Sequence, residues 1–223
     1  MTKTYNNDWI YKTLENDISD FKIKPGESLS ENDLCARFNV SRTPIRSVLQ
    51  RLEENGFVTI TPHKPTTVTL LDYNIVDQLI YQRIAIESMV FKDFMKIASP
   101  LQIEKIRHLI SLSEELLTRD FEIDEFYQLD GQLHEIWFNE LQKNYLWESI
   151  QKPQSNYTRF RFLDILDTKH CHDIVDEHKE LLSSLEKKDA TKVEELFEKH
   201  LYGGVKRLGD KIYTELKDYF IQL

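Results

Sequence analysis

A change in hydrophobic periodicity after residue 71 most strongly constrains the fold of this chain. Before it, two β-branched runs at 57–60 and 67–70 flank Pro62-His63-Lys64-Pro65, a pattern that predicts a two-stranded wing. After it, strand signals vanish and apolar residues recur at helical spacing. The sequence therefore predicts a mainly α protein, with a winged helix-turn-helix domain at 1–71 and an all-helical antiparallel bundle at 72–223. The predicted bundle helices span approximately 73–97, 100–118, 122–141, 145–166, 171–187 and 189–220.

The first domain contains two short helices joined by a tight turn. Ser30 precedes an acidic helix start, which predicts a helix over 31–38, and Asn39-Val40 forms the turn. Either Ser41 or Thr43 caps the next helix, and Asn55-Gly56 ends it. This arrangement is typical of proteins that place a second helix in the major groove of DNA.

Basic and polar residues cluster at the start of that second helix. Arg42 and Arg46 are four residues apart and share a face, so both can reach guanine edges or phosphates. Thr43 can offer its hydroxyl and backbone N–H to a phosphate. The full set of predicted DNA contacts is Ser41, Arg42, Thr43, Arg46, Arg37, Lys64 and Thr66.

The net charge of −9 is unevenly distributed along the chain. Nine basic and nine acidic residues precede residue 71, so the whole excess of acid lies beyond it. Between Arg37 and Arg51 there are four arginines and no acid. Because salt screens charges beyond about 10 Å, a local basic face can bind phosphates on an acidic protein.

Four polar residues in the second domain form a candidate metal site. Asp130 and His134 are four residues apart on one helix face, and His178 and His200 each lie on a core-facing apolar stripe. One carboxylate and three imidazoles suit a divalent transition metal: Zn, Ni, Fe or Mn. Alternatively, each histidine is a core residue with an ordinary hydrogen-bond partner. His170-Cys171-His172-Asp173 lacks spaced partners, and we interpret it as an ordinary helix start.

The first domain resembles the DNA-binding domain of the GntR family. The resemblance covers most of residues 5–70, through Pro25 to Glu31, Leu34 to Arg46 and Leu49 to Val58. It implies that Arg42, Thr43 and Arg46 contact DNA. Asn32 stands where many members carry a DNA-contacting arginine, and the usual wing glycine is replaced in His63-Lys64-Pro65-Thr66. Because both departures lie at expected DNA-contacting positions, the operator sequence of other members does not carry over to this chain.

The second domain resembles the ligand-binding domain of FadR-type members, called FCD. The resemblance covers roughly 72–215 and is carried by Arg83 to Glu87, Asp130 with His134, Glu177-His178 and His200-Leu201. It implies that Asp130, His134, His178 and His200 hold a metal and that a small organic or sugar acid coordinates it. Arg83 is the first candidate to complement that acid, followed by Arg159 and Arg161, although an ion pair with Glu87 explains Arg83 equally well.

These observations favour a ligand-responsive, homodimeric regulator that binds a double-stranded DNA operator, with repression as the expected outcome. One alternative keeps DNA binding and makes the metal purely structural. Another is a helical metallohydrolase, although we find no separate general base and expect no enzyme activity. The chain has no signal peptide or membrane span, and its two cysteines lack a metal or redox spacing, so we expect a cytoplasmic protein with no membrane partner.

Overall fold

The structure is a computed structural model that describes residues 6–151, 155–166 and 169–221. These residues form two compact units. The first comprises described residues within 6–76, 155–162 and 210–221, and the second comprises those within 77–151 and 163–209. The sequence-based division at residues 71 and 72 assigns the two later stretches of the first unit to the helical domain.

The first unit begins as three helices with a small sheet. Helices α1 (Asn7–Ser19), α2 (Glu31–Phe38) and α3 (Arg42–Glu54) pack around one apolar core. The strands are β1 (Ser28–Leu29), β2 (Val58–Thr59) and β3 (Thr66–Val68), in the antiparallel order β1-β3-β2. The predicted wing is confirmed, and β1 is a third strand that the two-stranded prediction lacked.

Local residues explain where these helices begin and end. The Ser30 hydroxyl accepts a hydrogen bond from the Asp33 N–H at 3.4 Å, which caps α2. Asn39 ends α2 in the left-handed region with φ of 51°, and Gly56 follows α3 with φ of 75°. The predicted start at Glu31 and end at Phe38 are therefore confirmed.

Eight further α-helices account for most of the described residues after Leu71. The Ser99 hydroxyl and the Gln102 side chain form a capping box at the start of α5, where Pro100 is the first residue. No helix among the described residues is both long and apolar enough to cross a membrane. The helices are α4 (Tyr73–Ile97), α5 (Pro100–Leu116), α6 (Ile123–Glu140), α7 (Asn144–Gln151), α8 (Ser155–Ile165), α9 (Lys169–Lys187), α10 (Val193–Leu201) and α11 (Gly203–Leu208).

Two predicted helices correspond to more than one described element. The predicted helix 145–166 corresponds to α7 and α8, on either side of residues 152–154, which lie outside the described residues. The predicted helix 189–220 becomes α10, α11 and short 3₁₀ segments, and Gly209, with φ of 47°, ends α11. Near the chain end, Phe220 forms a parallel bridge with Leu71 in the first unit.

Candidate nucleic-acid interface and metal centre

The exposed start of α3 carries the side chains predicted to read DNA. Ser41 occupies the N-cap position, and its side chain makes no capping hydrogen bond to the helix. Ser41, Arg42, Thr43 and Arg46 are all exposed, whereas Ile45 and Leu49 on the opposite face are buried in the core. Helix α3 is therefore anchored by one face and exposes the other to solvent.

Residues at the start of α2 hold two of the three arginines of α3. Arg46 donates from Nε to both carboxylate oxygens of Glu31 at 3.0 and 3.1 Å. Arg42 donates from Nη2 to the Asn32 side-chain oxygen at 2.9 Å. Asn32 therefore positions Arg42 in this chain. Many members of the resembled family carry an arginine at the position of Asn32.

The other predicted DNA contacts differ in how accessible they are. Arg37 is ion-paired with Asp17 at 2.5 Å, so its guanidinium already has a partner. Lys64 is exposed in the wing turn, next to His63, whose φ is 63°. Thr66 is half-buried at the start of β3.

The structure brings all four predicted metal-ligating residues together. Helix α6 supplies Asp130 and His134, α9 supplies His178, and α10 supplies His200. One ligand atom from each residue lies within 4.8 Å of the others, and all four residues are buried. Within the described part of the chain, this is the single group of three or more His, Cys, Asp or Glu residues arranged in this way.

The three imidazoles meet through their Nε2 atoms. His134 Nε2 lies 3.3 Å from His178 Nε2 and 3.2 Å from His200 Nε2. The Asp130 Oδ1 atom is 3.4 Å from His178 Nε2. Two ligand atoms about 2.1 Å from one ion, and separated by about 90–110°, lie about 3.0–3.4 Å apart. These three separations fit one divalent transition-metal ion, and Asp130 Oδ1 lies farther, 4.0 Å, from His134 Nε2.

Carboxylates hold two of these imidazoles from the far side of the ring. The Glu87 Oε2 atom lies 2.5 Å from His134 Nδ1, and the Glu177 Oε2 atom lies 2.9 Å from His200 Nδ1. Such carboxylate–histidine pairs place the proton on Nδ1 and leave the Nε2 lone pair for a metal. Arginines pair with both carboxylates: Arg83 donates to Glu87 at 2.5 Å, and Arg207 donates to Glu177 at 3.2 Å.

Burial and these pairs set the charge of the site. Burial alone would raise the pKa of Glu87, but Arg83 and His134 beside it lower that pKa to about 2. Burial lowers the pKa of His134, despite the adjacent Glu87 carboxylate. The site thus combines an ionised outer carboxylate with a neutral imidazole, the form that binds a metal.

The three arginines predicted to contact an acid ligand lie in different surroundings. Arg83 is buried beside the metal-ligating cluster, through its pair with Glu87. Arg159 donates hydrogen bonds to the Thr69 carbonyl and hydroxyl, within the first unit. Arg161 lies over the Tyr157 ring, also in the first unit. Arg83 is the one with a described contact to a carboxylate that holds a metal-ligating histidine.

The sequence analysis did not assign roles to Glu87, Glu177 or Arg207. Glu87 was considered only as an ion-pair partner of Arg83, and Glu177 only as the residue that precedes His178. The segment 170–173 agrees with its interpretation as a helix start. His170 Nδ1 hydrogen-bonds the Asp164 carbonyl at 2.9 Å, and Cys171 is a buried free thiol.

Comparisons with known proteins cover both units. Residues 6–68 match the family described as bacterial regulatory proteins, gntR family, and residues 78–203 match the FCD domain. The chain is 27% identical to the HTH-type transcriptional repressor RspR of Escherichia coli K12 over 195 residues, covering 87% of this chain and 85% of the relative. It is 23% identical to the HTH-type transcriptional regulator YdhC of Bacillus subtilis, itself uncharacterized, covering 81% and 80%.

Solved structures show the same fold at lower identity. McbR/YncC of E. coli aligns with a TM-score of 0.69 at 15% identity, covering 92% of this chain and 97% of that one. Lar, described as controlling expression of the Listeria monocytogenes agr system, aligns with a TM-score of 0.62 at 13% identity, covering 92% and 96%. At these identities the likeness concerns the fold alone.

Proposed function

Because the chain belongs to the GntR family of DNA-binding transcription regulators and carries an FCD domain, we propose that its DNA binding is controlled by a ligand. The ligand is a small carboxylate that binds at the metal centre and changes the affinity of the protein for its operator. The observation that carries the proposal is the buried cluster of Asp130, His134, His178 and His200. The same chain also contains a winged helix-turn-helix domain. Four protein ligands leave coordination positions for a ligand oxygen on a metal that takes five or six.

The proposed effector is a small organic or sugar acid. Its carboxylate would bind the metal, and Arg83 would complement its charge. Arg159 and Arg161 are the further candidates for this role, and their described contacts are to Thr69 and Tyr157. The metal itself would be Zn, Ni, Fe or Mn, which the ligand set alone does not distinguish.

We further propose a cytoplasmic homodimer that acts as a repressor. Each subunit would insert α3 into one half of a two-fold symmetric operator. RspR, which is described as a repressor, supports this sign of regulation. The regulator descriptions of the relatives also favour this proposal over a helical metallohydrolase.

The DNA-binding proposal is tested by a gel shift with the promoter region of the protein's own gene. Replacing both Arg42 and Arg46 with alanine should abolish the specific shift. The control is Arg119→Ala, which should leave the shift intact, because Arg119 is an exposed arginine that follows α5 and pairs with Glu125. Equal binding by wild type and the double variant would refute the proposed reading mode.

The effector proposal is tested by melting curves of the metal-loaded protein with a panel of organic and sugar acids. At least one acid should raise the melting temperature, and the rise should vanish in metal-free protein. If metal stabilises the protein but no acid adds to this effect or changes DNA affinity, the metal is purely structural. The observation that favours this alternative is that all four ligands are buried, with exposed fractions of 8% or less.

A further inference from the structure

Two adjacent residues of α2 each hold one arginine of α3, but the two pairs differ in charge. Glu31 accepts from Nε of Arg46 through both carboxylate oxygens, at 3.0 and 3.1 Å. Asn32 accepts from Nη2 of Arg42 through its side-chain oxygen at 2.9 Å. The first pair is therefore neutral overall, whereas the second keeps the full positive charge of its arginine. All four residues lie in the first unit.

Glu31 leaves the far end of the Arg46 guanidinium available. Within the described part of the chain, neither terminal nitrogen of Arg46 donates a hydrogen bond, and 61% of its side chain is exposed. Two terminal nitrogens in one plane can donate to O6 and N7 of a guanine in the major groove. Because Nε is held from behind, the guanidinium is oriented before DNA binds, so less side-chain entropy is lost on binding.

The Glu31 carboxylate also disfavours a phosphate at this position. A phosphate beside the pair of Glu31 and Arg46 would meet a negative charge together with the positive one, so its net attraction is small. In the major groove, by contrast, a carboxylate can accept a hydrogen bond from N4 of cytosine. The pair therefore suits a G·C base pair better than it suits the DNA backbone.

Arg42 has surroundings that favour a phosphate. Its partner Asn32 is uncharged, and its Nε and Nη1 atoms make no hydrogen bond with the described residues. Arg42 is also the first residue of α3, where the N-cap residue Ser41 makes no side-chain capping bond. The first backbone N–H groups of a helix attract anions, and this attraction adds to that of the Arg42 charge.

We propose that the two arginines have different roles in DNA recognition: Arg46, positioned by Glu31, reads a guanine, and Arg42, held by Asn32, binds a phosphate. Glu31 and Asn32 are then positioning residues that decide which DNA group each arginine contacts. The inference rests on the proposed function, since it requires α3 to lie in the major groove of the operator. It also requires an uncharged side chain at position 32, because an acid there would compensate the charge of Arg42.

The experiment measures the Kd of the full-length protein by fluorescence anisotropy at several salt concentrations. Its two probes are the promoter fragment of the protein's own gene and an unrelated duplex of equal length. The variants are Arg42→Ala, Arg46→Ala, their combination, Glu31→Gln and Asn32→Asp. The controls make the same charge changes at other exposed positions: Glu54→Gln at the last residue of α3 and Asn139→Asp on α6.

The two arginine variants should lose different properties. Arg42→Ala should weaken binding to both probes by a similar factor and reduce the slope of log affinity against log salt by about 1. Arg46→Ala should weaken binding to the promoter fragment by about tenfold to a hundredfold and leave the unrelated duplex and the slope unchanged. The double variant should combine both effects, with a slope reduction of about 1 in total. Methylation interference should show a guanine whose N7 methylation weakens wild type and Arg42→Ala but not Arg46→Ala.

The variants of the two positioning residues should change the slope in opposite directions. Glu31→Gln leaves the charge of Arg46 uncompensated, so binding to the unrelated duplex should strengthen, the slope should steepen by about 1 and the preference for the promoter fragment should fall. Asn32→Asp compensates Arg42, so the slope should fall by about 1, as in Arg42→Ala. Both controls should keep the wild-type slope and preference. A variant that merely destabilises α2 would weaken binding to both probes without steepening the slope.

The failure of this inference and the failure of the proposed function give different results. If Arg42→Ala and Arg46→Ala change slope and preference equally, the separate roles of the two arginines are overturned while DNA reading by α3 stands. The same holds if Glu31→Gln only reproduces its control, Glu54→Gln. If wild type binds both probes equally, or if the double arginine variant binds the promoter fragment as wild type does, the proposed reading of an operator fails and the inference fails with it.

Discussion

Glu87 shows how one outer residue can prepare a metal ligand. One carboxylate oxygen of Glu87 accepts a hydrogen bond from Arg83, which compensates the negative charge. The other oxygen lies against Nδ1 of His134 and fixes the orientation of that imidazole. The Nε2 lone pair of His134 is then directed toward His178 and His200. The protein can bury these groups because each has a polar partner or would bind the metal.

We expect Glu87→Gln to weaken metal binding by about 10–100-fold, because the neutral amide holds His134 less firmly and makes it a poorer donor. Chelator competition at equilibrium measures this change. The control is Glu194→Gln, since Glu194 is exposed on α10 and makes only a long ion pair with Lys92. Unchanged metal affinity in Glu87→Gln would show that the outer carboxylate does not tune the site.

The sequence predicted some residue roles better than others. Asp130 and His134 share a face by helical periodicity alone, so their proximity needed no tertiary information. The convergence of His178 and His200 depends on how α9 and α10 pack, which periodicity does not specify. The hydrogen bond from Arg159 to the Thr69 carbonyl joins residues 90 positions apart, and a local pattern carries no information about it.

Elements with regular periodicity were also the ones predicted well. Helix α4 at Tyr73–Ile97 and α2 at Glu31–Phe38 match their predicted bounds, because capping and breaking residues mark both ends. The region after residue 200 was predicted as one helix, since its apolar spacing continues past Gly203 and Gly204. The bridge between Leu71 and Phe220 joins distant parts of the chain, and a local pattern carries no information about it.

Two glycines should respond in opposite ways to alanine. Gly56 has φ of 75°, and an added Cβ would lie 3.1 Å from the Ser155 hydroxyl, so Gly56→Ala should cost about 1–2 kcal/mol of unfolding free energy. Gly131 is within α6 with nothing within 4 Å of an added Cβ, so Gly131→Ala should add about 0.5–1 kcal/mol. Urea denaturation checks both values, and a neutral or stabilising Gly56→Ala would contradict the described turn.

For the whole molecule, charge is divided between the ends of the chain. The acidic excess beyond residue 71 leaves the region around α3 with four arginines and no acid from Arg37 to Arg51. DNA affinity should therefore fall steeply with salt even though the protein carries a net charge of −9.

This salt dependence gives a prediction for the two reading arginines. If each neutralises one phosphate, replacing both with alanine should reduce the slope of log affinity against log salt by about 2. If they contact bases only, affinity should fall for the operator alone and the slope should stay the same. Titrations at several salt concentrations, with operator and with unrelated DNA, distinguish phosphate contacts from base contacts. If the double variant keeps the wild-type affinity and slope, the two arginines make neither kind of contact.

The most direct test of conditional DNA binding is the affinity of zinc-loaded protein for its promoter fragment, with and without the acid that most raises its melting temperature. We predict at least a tenfold change in Kd on adding the acid, which is lost in metal-free protein and in His178→Ala. An acid that stabilises the zinc-loaded protein but leaves Kd unchanged, or that changes Kd equally in His178→Ala, would contradict control of DNA binding through the metal centre.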